Sequence, residues 1–285
     1  MKKKQKDIYD IFLTVLNTYC KDIMSLFAAD ELISFKVIRK YLDYLDKQKS
    51  RENNLPSEWH HIFDCLIKAN EGQENAKKYL QFLSHEFSDT FKCLESINAS
   101  PHNLNNYKSK LKDVFNSHDF NAVINCQSLN YANEIFSFSK ILKQSIEKEY
   151  RFKKFEFNLN NGKNLDFAFE KNGRLICIEC KSIHRILLPD AQQKSPSPDV
   201  VEKRLIKKIK NKIISKGLKI RNGKFYYEGN PDMEIYLLIC LTDEYVDLQK
   251  YKETFKVISK KYDMMVFPLQ AIRVDNNGIS LCPPY

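Results

Sequence analysis

The stretch NLDFAFEKNGRLICIECKS at 164–182 constrains the fold more than any other part of the chain. Two apolar runs, Asn164–Glu170 and Arg174–Lys181, flank Lys171-Asn172-Gly173. Asn-Gly supplies the positive φ angles of a tight type I′ turn, so the runs are expected to fold back as a β-hairpin. Strand side chains alternate between faces. Cys177, Glu179 and Lys181 should therefore share one face, and Ile176, Ile178 and Cys180 the other. Asp166, between Leu165 and Phe167, is a further acid set in an apolar strand. Burying such charges without partners is costly, which marks Asp166, Glu179 and Lys181 as paired or functional groups.

Around the hairpin, apolar periodicity divides the chain in two. Residues 1–125 read as an all-α region without strand signals: Ile8, Ile11, Phe12, Val15 and Leu16 recur at helical steps, as do Leu32, Phe35, Ile38, Tyr41 and Leu42. The segment NASPHNLNN at 98–106 reads as a breaker, with a short helix over Tyr107–Phe115 beyond it. Residues 126–285 read as a second domain: a helix over Asn130–Tyr150, strands at Phe152–Leu159, Asn164–Glu170 and Arg174–Lys181, and a helix over about Val200–Lys216. A strand at Ile235–Leu241, a helix at about Leu248–Lys261 and a strand at Met264–Leu269 complete it. The expected class is α/β, a central mixed sheet flanked by helices and preceded by the helical region.

Charge follows the same division. Residues 1–125 carry 18 Lys/Arg against 17 Asp/Glu, and residues 126–285 carry 28 against 19, so nearly all of the +10 net charge lies in the second part. A basic domain favours phosphate-rich partners, because neutralising phosphates releases counterions. The basic helix places Val201, Leu205, Ile209 and Ile213 at four-residue steps and leaves Lys203, Arg204, Lys207, Lys208 and Lys210 as the candidate nucleic-acid contacts; a merely solvated helix is the alternative. The eight cysteines, at 20, 65, 93, 126, 177, 180, 240 and 282, sit mostly in apolar runs and read as reduced, buried thiols. The first residues, MKKKQKDIYDIF, lack a continuous apolar core for a secretion signal, and no stretch approaches the roughly 20 apolar residues of a spanning helix. The expectation is a cytoplasmic protein with no membrane partner.

Asp166, a hairpin, and then Glu179-Cys180-Lys181 resemble the PD-(D/E)xK nuclease superfamily, with a local likeness to its Holliday-junction-resolvase and Mrr-like branches. The order helix, three-stranded meander, helix, strand is similar to that family's restriction-endonuclease-like core, over roughly residues 130–270. Leu165 stands where the family often has proline. The resemblance implies Mg²⁺-dependent hydrolysis of phosphodiester bonds, with Mn²⁺ able to substitute. Asp166, Glu179 and the Cys180 backbone carbonyl would hold the metal, and Lys181 would orient the attacking water and stabilise developing charge. An upstream helix acid often completes such sites, and Glu134 is the candidate, with Glu147 and Glu149 as alternatives. The implied partner is double-stranded DNA, in restriction or phage defence. The helical region would recognise sequence, sense a signal or form a homodimer or higher homo-oligomer.

Other motifs carry less. Cys177-x-x-Cys180 on opposite strand faces suits packed thiols better than a zinc or redox pair. Trp59-His60-His61 and His85-Glu86 lack matching ligands, and no phosphate-cradling glycine loop is present. The two remaining readings are a non-catalytic nucleic-acid-binding protein with this fold and a helical assembly protein.

Overall fold

Two Asn-Gly turns shape the sheet. In the computed structural model, which describes residues 3–28, 31–49, 62–117, 127–183, 197–241, 251–262, 265–267, 273–275 and 278–280, Asn172 and Gly173 take φ of 52° and 76°. These are the angles a type I′ turn demands. Strand β2 (Asn164–Lys171) thereby pairs antiparallel with β3 (Arg174–Ile183), Lys171 opposite Arg174 and Phe167 opposite Ile178. The expected hairpin is present. Strand β1 (Arg151–Asn158) pairs antiparallel with β2 on its other side, completing the meander.

The second turn, Asn222-Gly223 with φ of 52° and 77°, closes a hairpin of β4 (Lys219–Arg221) and β5 (Lys224–Tyr227) that the sequence reading does not anticipate. Its strands are too short for alternation to register, although Asn222-Gly223 carries the same signal as Asn172-Gly173. A Cβ on Gly223 would stand 2.6 Å from the Lys261 carbonyl oxygen, a backbone atom that cannot rotate away. At Gly173 a Cβ would meet nothing within 4 Å. Gly173→Ala is therefore expected to lose only the roughly 1–2 kcal/mol that left-handed backbone costs an L residue. Gly223→Ala should lose measurably more in urea unfolding, and equal losses would contradict the close approach.

Strand β6 (Asn230–Leu241) runs parallel to β3, with Glu179 beside Leu237 and Lys181 beside Ile239. It pairs antiparallel with β5 near its start and parallel with β7 (Met265–Phe267) near its end, giving a seven-stranded mixed sheet. Such parallel pairs need a crossover connection. Helix α8 (Pro198–Ser215) and the β4–β5 hairpin supply the first, and helix α9 (Lys252–Lys261) the second. Val201, Leu205, Ile209 and Ile213 of α8 pack with Cys177, Leu237, Ile239, Phe255 and Ile258 in one buried cluster. Fully burying each such aliphatic side chain contributes about 1.5–3 kcal/mol. Ile176 and Ile178 face the other side of the sheet and line a cavity of about 200 Å³ with Ile141 and Ser145, from the end of helix α7 (Gln127–Glu147). The alternation expected for β3 thus holds on both faces.

The chain divides into two compact units, Met1–Ser139 with Asn276–Ser280, and Lys140–Asp275 with Leu281–Tyr285, where the sequence reading sets the boundary between 125 and 126. Among its described residues the first unit is helical apart from one short strand: α1 (Lys3–Tyr19), α2 (Lys21–Met24), α3 (Phe35–Lys49), α4 (Ile62–Asn70), α5 (Glu74–Ser96), α6 (Pro101–Asn116) and the first turns of α7. Phe12 and Phe63 pack with ring centroids 4.7 Å apart, Tyr41 meets Phe63 edge-on, and its hydroxyl donates to Asp64. The expected breaker at 98–106 is corrected here: Ser100 caps α6, its hydroxyl accepting from the Asn103 N–H at 3.3 Å, and Pro101 occupies the first turn. Ser-Pro ahead of a helix is a start signal, because that N–H would have no helical partner. A two-stranded sheet, β8 (Arg273–Asp275) and β9 (Gly278–Ser280), lies near the end of the chain. Among the described residues no helix is long and apolar enough to cross a membrane. Trp59-His60-His61, Cys126 and Cys282 fall outside the described residues.

Candidate active site

β2 and β3 part just beyond the Phe167–Ile178 pair, and Asp166 and Glu179 follow on the two strands. Asp166 turns into the opening: its Oδ2 accepts the Cys180 backbone N–H at 2.6 Å, replacing the ladder bond lost where pairing stops. The N–H and C=O of a strand residue leave on the same side. The Cys180 carbonyl is therefore directed toward the edge that Asp166 caps.

Glu179 is 1% exposed. Two ammoniums approach its carboxylate. Lys212 of α8 forms an ion pair with Oε1, and Lys216, just past the helix end, lies 3.0 Å from the same atom. The Lys212 ammonium also hydrogen-bonds the carboxylate. Lys216 is anchored a second time, donating to the Asn164 carbonyl at 2.6 Å. Burial, and then the neighbouring Asp166 charge, push the Glu179 carboxyl up to about 7 against the opposing pull of Lys212 and Lys216. Burial works against the charge of Lys212, but Glu179 and Asp166 outweigh it and its pKa is raised. Lys181 is half-buried, and desolvation, then Lys212 and Lys208, lower its pKa.

A carboxyl whose folded pKa lies above its unfolded value adds stability that is fully present below the unfolded pKa and lost as pH rises through the folded one. For Glu179 that window runs from about 4.5 to about 7. In urea unfolding, the wild type is expected to lose stability relative to Glu179→Gln between pH 5 and pH 8. The scale is about 1.4 kcal/mol for each tenfold difference in proton affinity between the folded and unfolded chain. A difference that does not change with pH would contradict the buried, incompletely neutralised carboxylate.

The structure thus brings Asp166, Glu179, the Cys180 backbone and Lys181 together. Glu134 belongs to the first unit, where Lys110 lies 2.7 Å from its carboxylate. The charges that act on Glu179 are Asp166, Lys212 and Lys216. Of the expected nucleic-acid contacts, Lys203, Lys207, Lys208 and Lys210 are exposed on α8 and Arg204 is half-buried. Cys177 packs in the core, with burial pushing its thiol up to about 12, and Cys180 is buried and forms no disulfide, which suits the packed-thiol reading.

Two residues that sequence reasoning passes over are Lys212 and Lys216. The signal is present: at about 100° per residue, 212 and 216 fall within the arc occupied by Val201, Leu205, Ile209 and Ile213. Lysines on the apolar face of a sheet-packed helix need an anionic partner, and Glu179 is that partner.

Among the described residues no three His, Cys, Asp or Glu side chains gather as a metal-binding group. What the site offers is two carboxylates and a backbone carbonyl, an all-oxygen set suited to a hard cation. Mg²⁺ is usually held by one or two carboxylates, retaining several waters. Comparison of the chain with known protein families, curated proteins and solved structures finds no match.

Proposed function

We propose that the second unit is a Mg²⁺-dependent nuclease, hydrolysing phosphodiester bonds in double-stranded DNA. The observation that carries this reading is the buried Glu179 beside Asp166, in surroundings supplied with lysines. Asp166, Glu179 and the Cys180 carbonyl would hold the cation, Mg²⁺ or in its place Mn²⁺. When bound, it would supply charge to offset the negative oxygens of the reacting phosphate.

The chain's own residues do the rest. Lys181, whose pKa is lowered by desolvation and by Lys212 and Lys208, is suited to orient a water and to hold a proton at Nζ. Lys208 stands close enough to Lys181 to influence it. The exposed Lys203, Lys207 and Lys210 extend positive charge along α8, suited to contact phosphates without reading sequence. The test is cleavage of supercoiled plasmid by the full chain with and without Mg²⁺, beside the Asp166→Ala/Lys181→Ala double variant. Mg²⁺-dependent cleavage is expected for the wild type only, and activity that survives in the double variant would sink the catalytic assignment.

One observation favours a second reading. Lys212 and Lys216 already neutralise part of Glu179 without any metal, as a catalytically silent nucleic-acid-binding domain would require. Salt-sensitive DNA binding with no Mg²⁺-dependent cleavage would select it. A helical assembly role for the first unit is compatible with either.

A further inference from the structure

Lys212 and Lys216 occupy the position a cation would take at Glu179. Both ammoniums converge on a single atom, Oε1, of a side chain that is 1% exposed. A single carboxylate carries one negative charge, yet here even two lysines leave its burial short of full compensation. The partners differ in how they are held. Lys216 keeps a second bond, to the Asn164 carbonyl at 2.6 Å. Glu179 is the acid that Lys212 Nζ pairs with among the described residues, with Asp166 adding a further attraction, and no second bond of its ammonium is seen there. Lys208 precedes Lys212 by about one helical turn, is exposed, and acts on Lys181.

We propose that Lys212 and Lys216 are exchangeable counter-ions of Glu179: a divalent cation held between Asp166 and Glu179 displaces Lys212 first, and the released ammonium then binds the phosphate of the nucleic acid. The exchange breaks and forms no covalent bond. One cation replaces another at a carboxylate, and the freed lysine finds an anion where the substrate lies. The second half rests on the nuclease reading, whereas the competition at Glu179 does not.

The experiment is calorimetric titration of Mn²⁺ into the full chain without nucleic acid, for wild type, Lys212→Met, Lys216→Met and Glu179→Gln. Removing the competing ammonium should tighten Mn²⁺ binding about tenfold or more in Lys212→Met, the scale on which groups around a metal site tune its affinity. Lys216→Met should show a smaller gain and Glu179→Gln no binding. Mn²⁺ affinity in Lys212→Met equal to or weaker than wild type, or absent from both, overturns the proposal.

Because Lys212→Met leaves Glu179 more exposed to its own burial cost, thermal unfolding with and without Mn²⁺ is a second readout. Mn²⁺ should raise the midpoint of the variant more than that of wild type, and an equal rise overturns the proposal. With Mn²⁺ bound, a DNA duplex should bind Lys212→Met more weakly, with a salt slope shallower by about one. A wild type that obeys the competition but cuts no DNA sinks the nuclease reading alone. One that cuts DNA while Lys212→Met binds Mn²⁺ no tighter sinks the competition alone.

Discussion

Replacing Asp166 with asparagine is expected to lower Mg²⁺-dependent cleavage at least about 100-fold while leaving the fold intact. Loss of a single group that stabilises charge in a transition state costs on this order, about 10²–10³. Asparagine keeps an oxygen that can accept the Cys180 N–H, now bonded to Oδ2 at 2.6 Å, so the junction where β2 and β3 part need not collapse. What disappears is one of the two negative charges at the site, and with it half of the carboxylate set. Single-turnover cleavage of labelled plasmid and a thermal melt on the same preparation separate the two effects. A variant that cuts normally removes Asp166 from the chemistry. A variant that fails to melt cooperatively would show that the carboxylate is structural first.

The second large effect concerns α8. Ile209→Ala is expected to cost about 2–5 kcal/mol, the range for truncating a buried aliphatic side chain and leaving a cavity. Ile209 is fully buried, between Leu205 and Ile213 on the stripe that seats α8 on the sheet. The same helix carries Lys208 and Lys212, so loosening its seat should reduce cleavage beyond what the fraction unfolded explains. Urea unfolding gives the first quantity and cleavage under fully folded conditions gives the second. A loss below about 1 kcal/mol would mean that α8 is not held by this stripe.

Much of the candidate site is legible in the amino-acid sequence, and for definite reasons. Asp166, Glu179 and Lys181 stand out because each interrupts a period-two apolar pattern, and Asn172-Gly173 fixes the register that brings the two acids side by side. The β4–β5 hairpin escapes notice because strands of three and four residues are too short to show a period. The start of α6 reads as a break because Ser, Pro, Asn and His are also common in loops, and only the cap on the Asn103 N–H distinguishes a helix start. Lys212 and Lys216 are easily passed over, since a basic helix invites the thought of solvent. Their place on the buried arc is legible, but the identity of their partner depends on the crossover that lays α8 against β3.

The pairing of β3 has a consequence for the order in which the molecule assembles. On one side it meets β2 across a two-residue turn, a local contact that can form within microseconds. On the other it meets β6 only after α8 and the β4–β5 hairpin have been traversed, and such long-range parallel pairing is slow. Until that crossover closes, Glu179 remains hydrated and its two lysines are distant in the chain. The burial of Glu179 is thus deferred to a late stage of folding, when α8 and β6 bring both the apolar surface that covers it and the lysines that face it.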